Sequence, residues 1–354
     1  MGDGGLNLSP DRELDRDTWL REVFPEWKTY LNEEIVNTVV EPSTFALWRL
    51  GGAAIWLKTP EDANIAVDLW FGTGGLLDYN EISKESGLFR MTGAEKFPWH
   101  RTLPHFLDPF AITKCDAYVS THIHTDHCDF YAIKNLLKNT ECVFVGPPRC
   151  CDIFKRFKVP RDRIVEVTPG TTYTIKDVEI TALESFDRTV LITEQNLHKL
   201  TMEDFAKLMD KKAANYLFKM PAGSLYHAGD SHYSNGFFKH GRMYDVDLAM
   251  ITFGDNPDGL TDKMNPYDCY RAAKCLRAKV VIPMHYADWS PVAGDPTDVE
   301  MIAQKKFAKF NVCIMSPTTK FVWPKDKDEK RIEVTRGSEY FRPELIDIPF
   351  PSYL

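Results

Sequence analysis

A histidine-rich segment is the part of the sequence with the clearest capacity for chemistry. Residues 121–129 read THIHTDHCD, so three of the ten histidines of the chain fall within six residues. Imidazole is the commonest metal ligand, and a loop can bring together side chains that a regular strand would direct to opposite faces. The segment therefore predicts a metal site. The expected ligands in this loop are His122, His124, Asp126 and His127.

Further ligands must come from other parts of the chain, because this short loop alone cannot enclose a pair of catalytic ions. Asp187, Asp230 and His285 each stand just past an apolar run that is typical of a strand. Each of the three positions also suits a turn or a capping residue, which is the structural alternative. Taken together with the histidine-rich loop, they complete a predicted set of seven ligands.

Strands and helices must alternate to bring these residues together. Runs rich in β-branched and aromatic residues predict strands, and segments with helical spacing predict helices. The predicted strands cover residues 44–50, 53–58, 64–70, 117–121, 142–145, 172–175, 178–183, 216–219, 225–227, 246–252, 279–283 and 312–315. The predicted helices cover residues 130–137, 202–212, 266–276 and 298–310. This order predicts an α/β fold in which two sheets lie between helices, an αββα sandwich.

The chain shows no internal repeat, low-complexity tract or Gly/Ser linker, which favours one domain over residues 1–354. Residues 14–40 alternate charged and apolar positions at near-helical spacing and predict a helical N-terminal extension. Residues 72–109 lack periodicity and are long for a structureless loop, so we expect them to form a lid or a contact surface.

Composition restricts the partners of the protein. The formal net charge of −8 argues against binding of nucleic acid, whose phosphates require clustered Lys and Arg. The N-terminus is acidic where a secretory signal would be basic and then apolar, and no run approaches about 18 apolar residues. We therefore expect a cytoplasmic protein without a membrane span.

The order of the ligands resembles that of the metallo-β-lactamase superfamily. There the motif His-x-His-x-Asp-His is followed by a His, then by a bridging Asp after a Gly, and then by a last His. Asp230 and His285 match the last two positions. The third ligand departs from the pattern, because Asp187 stands where the superfamily has histidine, so either Asp187 replaces the imidazole or this ligand is missing.

Several further segments make the chain similar to the L-ascorbate-6-phosphate lactonase family. They are FPEW (24–27), LNEEI (31–35), LDPFAI (107–112), FDRT (186–189), NYLFK (215–219), GDSHYSN (229–235) and LTDKM (260–264), and they span nearly the whole chain. FDRT and GDSHYSN together point to this branch of the superfamily. The resemblance implies hydrolysis of the lactone ring of L-ascorbate 6-phosphate to 3-keto-L-gulonate 6-phosphate, a preference for manganese and a homo-oligomer.

The ligand set suggests a metal and a mechanism. A carboxylate at Asp187 makes the site harder, which favours Mn²⁺ while leaving Zn²⁺ possible, and one or two ions are compatible with the sequence. A bound ion would activate water and polarise the lactone carbonyl. Asp230 is expected to bridge two ions, and Asp126 to ligate the second ion or accept a proton from water; these two are the predicted catalytic residues. His122 and His124 would hold the first ion, and His127 and His285 the second.

The phosphate of the substrate requires a cation. Arg188 is one candidate, because its planar guanidinium suits phosphate oxygens, although it could equally neutralise nearby carboxylates. Lys263 is a second candidate. His232 and Tyr233, just beyond Asp230, are expected to contact the ring or to protonate the leaving oxygen.

Two other functions remain open at this stage. The same metal motif serves phosphodiesterases and ribonucleases of the superfamily, and a fold does not determine a function. The acidic composition weighs against a long nucleic-acid substrate. A metal-stabilised scaffold without activity is the third possibility, and the intact set of ligands argues against it.

Overall fold

The computed structural model of the protein describes residues 9–16, 19, 31–72, 100–191, 199–254, 263–286, 288–290 and 294–333. Parts of the predicted N-terminal extension and of the predicted lid (72–109) lie outside these residues. Among the helices that are described, none is long and apolar enough to cross a membrane.

Two seven-stranded sheets form the centre of the fold. The strands, in chain order, are β1 Phe45–Gly51, β2 Ala54–Lys58, β3 Asn64–Val67, β4 His100–Arg101, β5 Ala117–Val119, β6 Val143–Gly146, β7 Ile164–Glu166, β8 Thr172–Ile175, β9 Val178–Glu184, β10 Ala214–Met220, β11 Gly223–His227, β12 Leu248–Thr252, β13 Val280–Met284, β14 Trp289–Ser290, β15 Asn311–Val312, β16 Ile314–Met315, β17 Lys320–Trp323 and β18 Arg331–Ile332. The first sheet has the order β17-β1-β2-β3-β5-β6-β7, and the second has the order β15-β13-β12-β11-β10-β9-β8. Two small ribbons pair β4 with β14 and β16 with β18.

Each large sheet joins an antiparallel half to a parallel half. In the first sheet, β3, β5, β6 and β7 run parallel, and in the second sheet β11, β12, β13 and β15 do. Parallel strands end at a common edge, and loops after those ends are the usual position of ligand sites in α/β sheets. The predicted metal ligands all follow such strand ends or the end of β9.

Helices cover the outer faces of both sheets. In the described part of the chain they are α1 Leu31–Asn37, α2 Phe130–Asn139, α3 Pro148–Arg156, α4 Met202–Lys212, α5 Gly236–Met243, α6 Pro266–Leu276 and α7 Pro296–Lys305. Their first turns carry the expected signals. Thr201 and Asp204 form a capping box at α4, and the side chain of Asn265 accepts a hydrogen bond from Asp268 N at α6.

Three apolar layers hold the sandwich together. The inner faces of the sheets share one core, to which Leu47, Val119, Phe218 and Ile282 belong. A second core lies between the first sheet and α1, α2 and α3, and a third lies between the second sheet and α5, α6 and α7. The order helix, sheet, sheet, helix confirms the predicted αββα sandwich.

Most predicted strands and helices differ from the structure by one to three residues at an end, and two elements differ more. The strand expected over 312–315 is two strands, because the chain changes partner at Cys313: Cys313 N donates to Val281 O, and Ile314 N donates to Lys330 O. The helix expected over 298–310 begins at Pro296 and ends at Lys305. Phe307 has a φ of 50°, a left-handed conformation that is incompatible with a right-handed α-helix.

Candidate metal centre

The histidine-rich segment is a loop that is anchored at both ends. At its start, Thr121 N donates to Asp68 Oδ1 over 2.8 Å. At its end, Asp129 Oδ1 accepts from Ala132 N over 2.7 Å and caps α2, while its other oxygen accepts from two backbone amides beyond β3. These contacts hold the loop against the end of the first sheet.

The two remaining ligand loops reach the same point from the second sheet. Asp230 follows β11 through Gly229, whose φ is +51° and whose Cβ, if present, would lie 3.0 Å from Thr121 Cβ. Glycine at this position therefore allows the two loops to approach closely. His285 follows β13 directly with a φ of 63°, and its backbone N donates to Gly52 O in the β1–β2 turn over 3.2 Å.

Six of the seven predicted metal ligands form two groups, and within each group the donor atoms lie within 4.8 Å of one another. The first group holds His122, His124 and Asp230, and the second holds Asp126, His127 and His285. His122 Nε2 lies 2.8 Å from His124 Nδ1, and His127 Nε2 lies 3.2 Å from His285 Nε2. Asp230 also approaches both imidazoles of the second group, at 3.4 Å each, so it lies between the groups.

Asp68 orients two of the imidazoles. Its Oδ2 lies 2.8 Å from His127 Nδ1 and accepts from Thr121 Oγ1 over 2.7 Å. Because the Thr121 hydroxyl gives its hydrogen to Asp68, it accepts from His122 Nδ1 at 3.0 Å. These contacts place a proton on Nδ1 of both histidines, so Nε2 is the atom that would ligate a metal ion in exchange for any proton it carries.

A second carboxylate, that of Asp288, lies on the Nδ1 side of His285, as Asp68 lies on the Nδ1 side of His127. Asp288 Oδ2 lies 3.4 Å from His285 Nδ1, and its other oxygen lies 3.9 Å from the Arg49 guanidinium. Arg49 is buried and also donates to Met315 O over 3.1 Å. At this distance the carboxylate attracts a proton on His285 Nδ1 by its charge, without a hydrogen bond of good geometry.

The charges of the buried donors fit a metal cation. Burial alone would raise the pKa of Asp126 and of Asp230, but the neighbouring histidines, and Lys263 at Asp230, hold both pKa values well below their usual range. Burial would lower the pKa of His127, but Asp230, Asp126 and Asp68 raise it well above the usual value. The buried carboxylates therefore create a negative potential at the centre, which favours positively charged groups there. Ionised carboxylates with Nε2-directed imidazoles are suitable ligands for a divalent ion.

Asp187 lies beside the first group but does not belong to it. It is fully buried, and its Oδ2 lies 3.7 Å from His122 Nε2. Its Oδ1 accepts from Thr189 N at 2.9 Å and from Thr189 Oγ1 at 2.5 Å. One oxygen is therefore held by Thr189 while the other faces the group, so ligation by Asp187 stays a prediction.

The predicted substrate residues Arg188, His232 and Tyr233 lie on two loops that contact each other. Arg188 N donates to His232 Nδ1 over 3.3 Å, and His232 N donates to Phe186 O over 3.1 Å. The exposed Arg188 guanidinium donates to Tyr233 O over 3.4 Å. Arg271 lies over the Tyr233 ring, 3.7 Å from its centroid. The segments FDRT and GDSHYSN, on which the family resemblance depends, thus meet directly after the candidate ligand Asp230.

Lys263 lies beside the carboxylate of Asp230. Its buried Nζ lies 3.3 Å from Asp230 Oδ2. There it offsets part of the negative charge of the carboxylate between the two groups. Contact with a phosphate stays a prediction.

Sequence reasoning did not include Asp68, Thr121 and Asp288. Asp68 follows the apolar strand β3, so it carries the same signal that selected Asp230 and could have been found. Asp288 has no such signal, because its role depends on the turn that follows His285. Thr121 stood inside the motif but was not assigned a role.

The fold and the site define a hydrolytic enzyme of the metallo-β-lactamase superfamily, a class that binds divalent metal. The model of the β-lactamase superfamily domain matches residues 97–286. A metallo hydrolase from Ignicoccus hospitalis aligns with a TM-score of 0.55 at 17% identity, over 79% of this chain and 98% of that one. An isothiocyanate hydrolase from Delia radicum gut bacteria aligns with a TM-score of 0.57 at 13% identity, over 78% of this chain and 98% of that one. At such identities these structures support the fold alone.

Sequence comparison gives the particular family. The chain is 41% identical to the probable L-ascorbate-6-phosphate lactonase UlaG of Escherichia coli O45:K1, over 98% of this chain and 100% of that protein. The corresponding protein of Escherichia coli O139:H28 has the same identity and coverage. The protein belongs to the L-ascorbate-6-phosphate lactonase family.

Proposed function

We propose that the protein hydrolyses the lactone ring of L-ascorbate 6-phosphate to 3-keto-L-gulonate 6-phosphate. The observation that carries the proposal is the meeting of FDRT and GDSHYSN beside the two ligand groups, since these segments distinguish the family. The identity of 41% with probable lactonases along the whole chain supports it. A phosphorylated small molecule is then the partner, and no nucleic acid or membrane is needed.

We assign the metal to the six grouped residues. His122 and His124 would hold one ion, and Asp126, His127 and His285 a second, with Asp230 between them. A divalent ion supplies two effects when bound there: it lowers the pKa of water and polarises the carbonyl oxygen.

The protein residues would then handle the protons. Asp126 lies among the donors of the second group, so its carboxylate can ligate the second ion or accept a proton from the attacking water. His232 Nδ1 accepts from Arg188 N, which places the proton of a neutral imidazole on Nε2. From there, His232 can donate to the ring oxygen as the lactone opens.

The test of the function compares two substrates. With Mn²⁺, we expect the protein to open L-ascorbate 6-phosphate with measurable turnover and to cleave a model phosphodiester far more slowly. The reverse ranking would favour the phosphodiesterase alternative. Inactivity on both substrates would support the scaffold alternative and refute the proposed reaction.

We further propose that Asp187 contributes to a preference for Mn²⁺ over Zn²⁺. Replacing Asp187 with His would supply the imidazole that the superfamily has at this position and make the site softer. The ratio of Mn²⁺-supported to Zn²⁺-supported activity should fall by at least about tenfold, as changes around metal ligands commonly have effects of this size. The measurement is activity after reconstitution with each metal, together with metal content after purification without added metal.

A matched variant, Asp187→Asn, should weaken Mn²⁺ binding without improving Zn²⁺-supported activity. If zinc were clearly superior in the unchanged protein, or if Asp187→His left the ratio unaltered, the proposed role of Asp187 would be lost.

Arg188 is the proposed phosphate-binding residue. Its guanidinium is exposed on the loop that adjoins Asp230, and charged hydrogen bonds of this kind contribute about 1.5–3 kcal/mol. Arg188→Ala should therefore raise KM for L-ascorbate 6-phosphate about 10- to 100-fold. Steady-state kinetics with phosphorylated and unphosphorylated L-ascorbate measure this, and only the phosphorylated substrate should be affected.

Arg242→Ala serves as the control for Arg188, because Arg242 lies on α5 over the Phe238 ring and has no part in the site. Equal effects of Arg188→Ala on both substrates would mean that the residue supports the loop and does not bind phosphate.

Two broader properties complete the proposal. Association of several copies is expected from the family resemblance, and light scattering would measure it. A cytoplasmic location fits a charged sugar phosphate, which does not cross membranes unaided.

A further inference from the structure

A chain of buried polar side chains leads away from the ligand loop and has no part in the proposed chemistry. Ser231 Oγ donates to Asn215 Oδ1 over 2.8 Å, and Asn215 Nδ2 donates to Tyr226 OH over 2.9 Å. Tyr226 OH lies 2.8 Å from His240 Nδ1, and His240 Nε2 lies 2.9 Å from Glu184 Oε2. The first four residues are at most 1% exposed, and Glu184 reaches the surface, where it also pairs with Lys239.

The hydrogen bonds of this chain all point in one direction. Glu184 is an acceptor, and the hydrogen bond from His240 lowers its pKa to about 2. As a neutral imidazole that donates from Nε2 to Glu184, His240 accepts at Nδ1 from the Tyr226 hydroxyl, which in turn accepts from Asn215. The hydrogen of Ser231 is thereby committed to Asn215, and the lone pairs of its oxygen are left to accept.

The accepting oxygen of Ser231 joins the two family segments. It accepts from Phe186 N over 2.9 Å, at the start of FDRT. Ser231 itself stands between the metal ligand Asp230 and His232. Its orientation therefore affects where the FDRT loop lies relative to both residues.

The ring of Phe186 is seated on the same helix that provides His240. It stacks on the His240 ring at 5.4 Å and 25°, and it meets Phe237 edge-on at 4.9 Å. A Cβ at Gly236 would lie 2.2 Å from the Phe186 ring, so only glycine leaves room for it. The helix α5 thus holds the FDRT loop by an apolar contact as well as through the polar chain.

We propose that the chain from Glu184 to Ser231 is a positioning device that places Arg188 and His232 for the phosphorylated substrate relative to Asp230. The inference rests on the proposed function for the identity of the substrate. Glu184, His240, Tyr226, Asn215 and Ser231 are positioning residues, because they act through the backbone of the FDRT loop.

Tyr226→Phe tests the proposal, because it removes the hydroxyl that joins Asn215 to His240 and retains the packed ring. We expect KM for L-ascorbate 6-phosphate to rise about 5- to 30-fold, the effect of losing one or two buried hydrogen bonds. The Mn²⁺ content per chain should be unchanged. Ser224→Ala is the matched control on the same strand, since the Ser224 hydroxyl bonds to Asp245 O at the far end of β11.

A double-mutant cycle with Arg188→Ala distinguishes positioning from general stability. If the chain acts through the Arg188 loop, Tyr226→Phe should change KM by less than about twofold when Arg188 is already absent. Additive effects of the two substitutions would overturn the proposal.

Hydrogen exchange gives a readout that does not depend on the substrate. The amides of Phe186, Arg188 and His232 are bonded within the joined loops, and they should exchange about 5- to 30-fold faster in Tyr226→Phe than in Ser224→Ala. Gly236→Ala, which displaces the Phe186 ring in a helix that alanine favours, should give the same pattern.

Unchanged exchange in both Tyr226→Phe and Gly236→Ala would refute the positioning role even if the lactonase activity is found. Conversely, faster exchange in a protein that does not open the lactone would leave the positioning of the loop established and refute only the proposed function.

Discussion

Replacing Asp230 with alanine is expected to reduce turnover at least about 10³-fold and to remove most of the bound metal. Asp230 belongs to the first ligand group and lies 3.4 Å from both His127 and His285, so its loss affects both groups. Loss of an outer-shell partner alone commonly costs about 10- to 100-fold, and loss of a shared ligand should exceed this. Turnover with saturating Mn²⁺ and metal content per chain measure the two effects.

The stability of this variant requires its own comparison. Asp230→Ala removes the carboxylate that pairs with the buried Lys263, and breaking a buried ion pair can cost about 3–5 kcal/mol. Combining it with Lys263→Met should restore the melting temperature but not the activity. This separates loss of chemistry from loss of folding.

Asp116→Ala is the matched control for Asp230. Asp116 pairs with Lys176 at the start of β5, at the opposite end of the sheet from the site, and it should affect stability without affecting metal content. Turnover or metal content of Asp230→Ala equal to that of the unchanged protein would refute the assignment of Asp230.

Asp68→Asn is expected to weaken metal binding about 10- to 100-fold while the chain still folds. The carboxylate accepts from Thr121 N and Thr121 Oγ1, and it holds the proton of His127 on Nδ1. An amide cannot serve all of these donors. Asparagine tolerates the left-handed backbone of residue 68, whose φ is 48°. We therefore expect the substitution to weaken metal binding without disturbing the turn at this residue.

The measurement for Asp68→Asn is the Mn²⁺ dissociation constant, with activity followed as a function of metal concentration. High Mn²⁺ should recover much of the activity, in contrast to Asp230→Ala. A dissociation constant within about twofold of the unchanged protein would show that Asp68 supports the loop without orienting the imidazoles.

Much of the fold was predictable because its elements have strong local patterns. β8, α4 and α6 have the predicted bounds, since each is delimited by capping or turn residues that lie next to it in sequence. The single strand expected over residues 312–315 was wrong, because the chain leaves β13 after Cys313 and pairs with β18 from Ile314 onward. Such an exchange depends on strands that are distant in sequence, and no local pattern records it.

The candidate ligands can be read from the sequence alone. The motif His-x-His-x-Asp-His, the strand-end positions of Asp230 and His285, and the family segments are all readable without coordinates. Their spacing is dense enough to indicate the chemistry, since ligands from strand ends converge at one edge of an α/β sandwich.

Only the tertiary structure decided how those residues are arranged and which partners they contact. It separated six candidate ligands into two groups and placed Lys263 beside Asp230. It also placed Asp187 beside His122, with one oxygen bonded to Thr189, and it showed Asp68 and Asp288 behind the imidazoles. The buried chain from Glu184 to Ser231 likewise joins residues of four separate elements and one loop. The physical reason is the same in each case: hydrogen-bond partners and local charge depend on distances of a few ångströms between segments that are far apart in sequence.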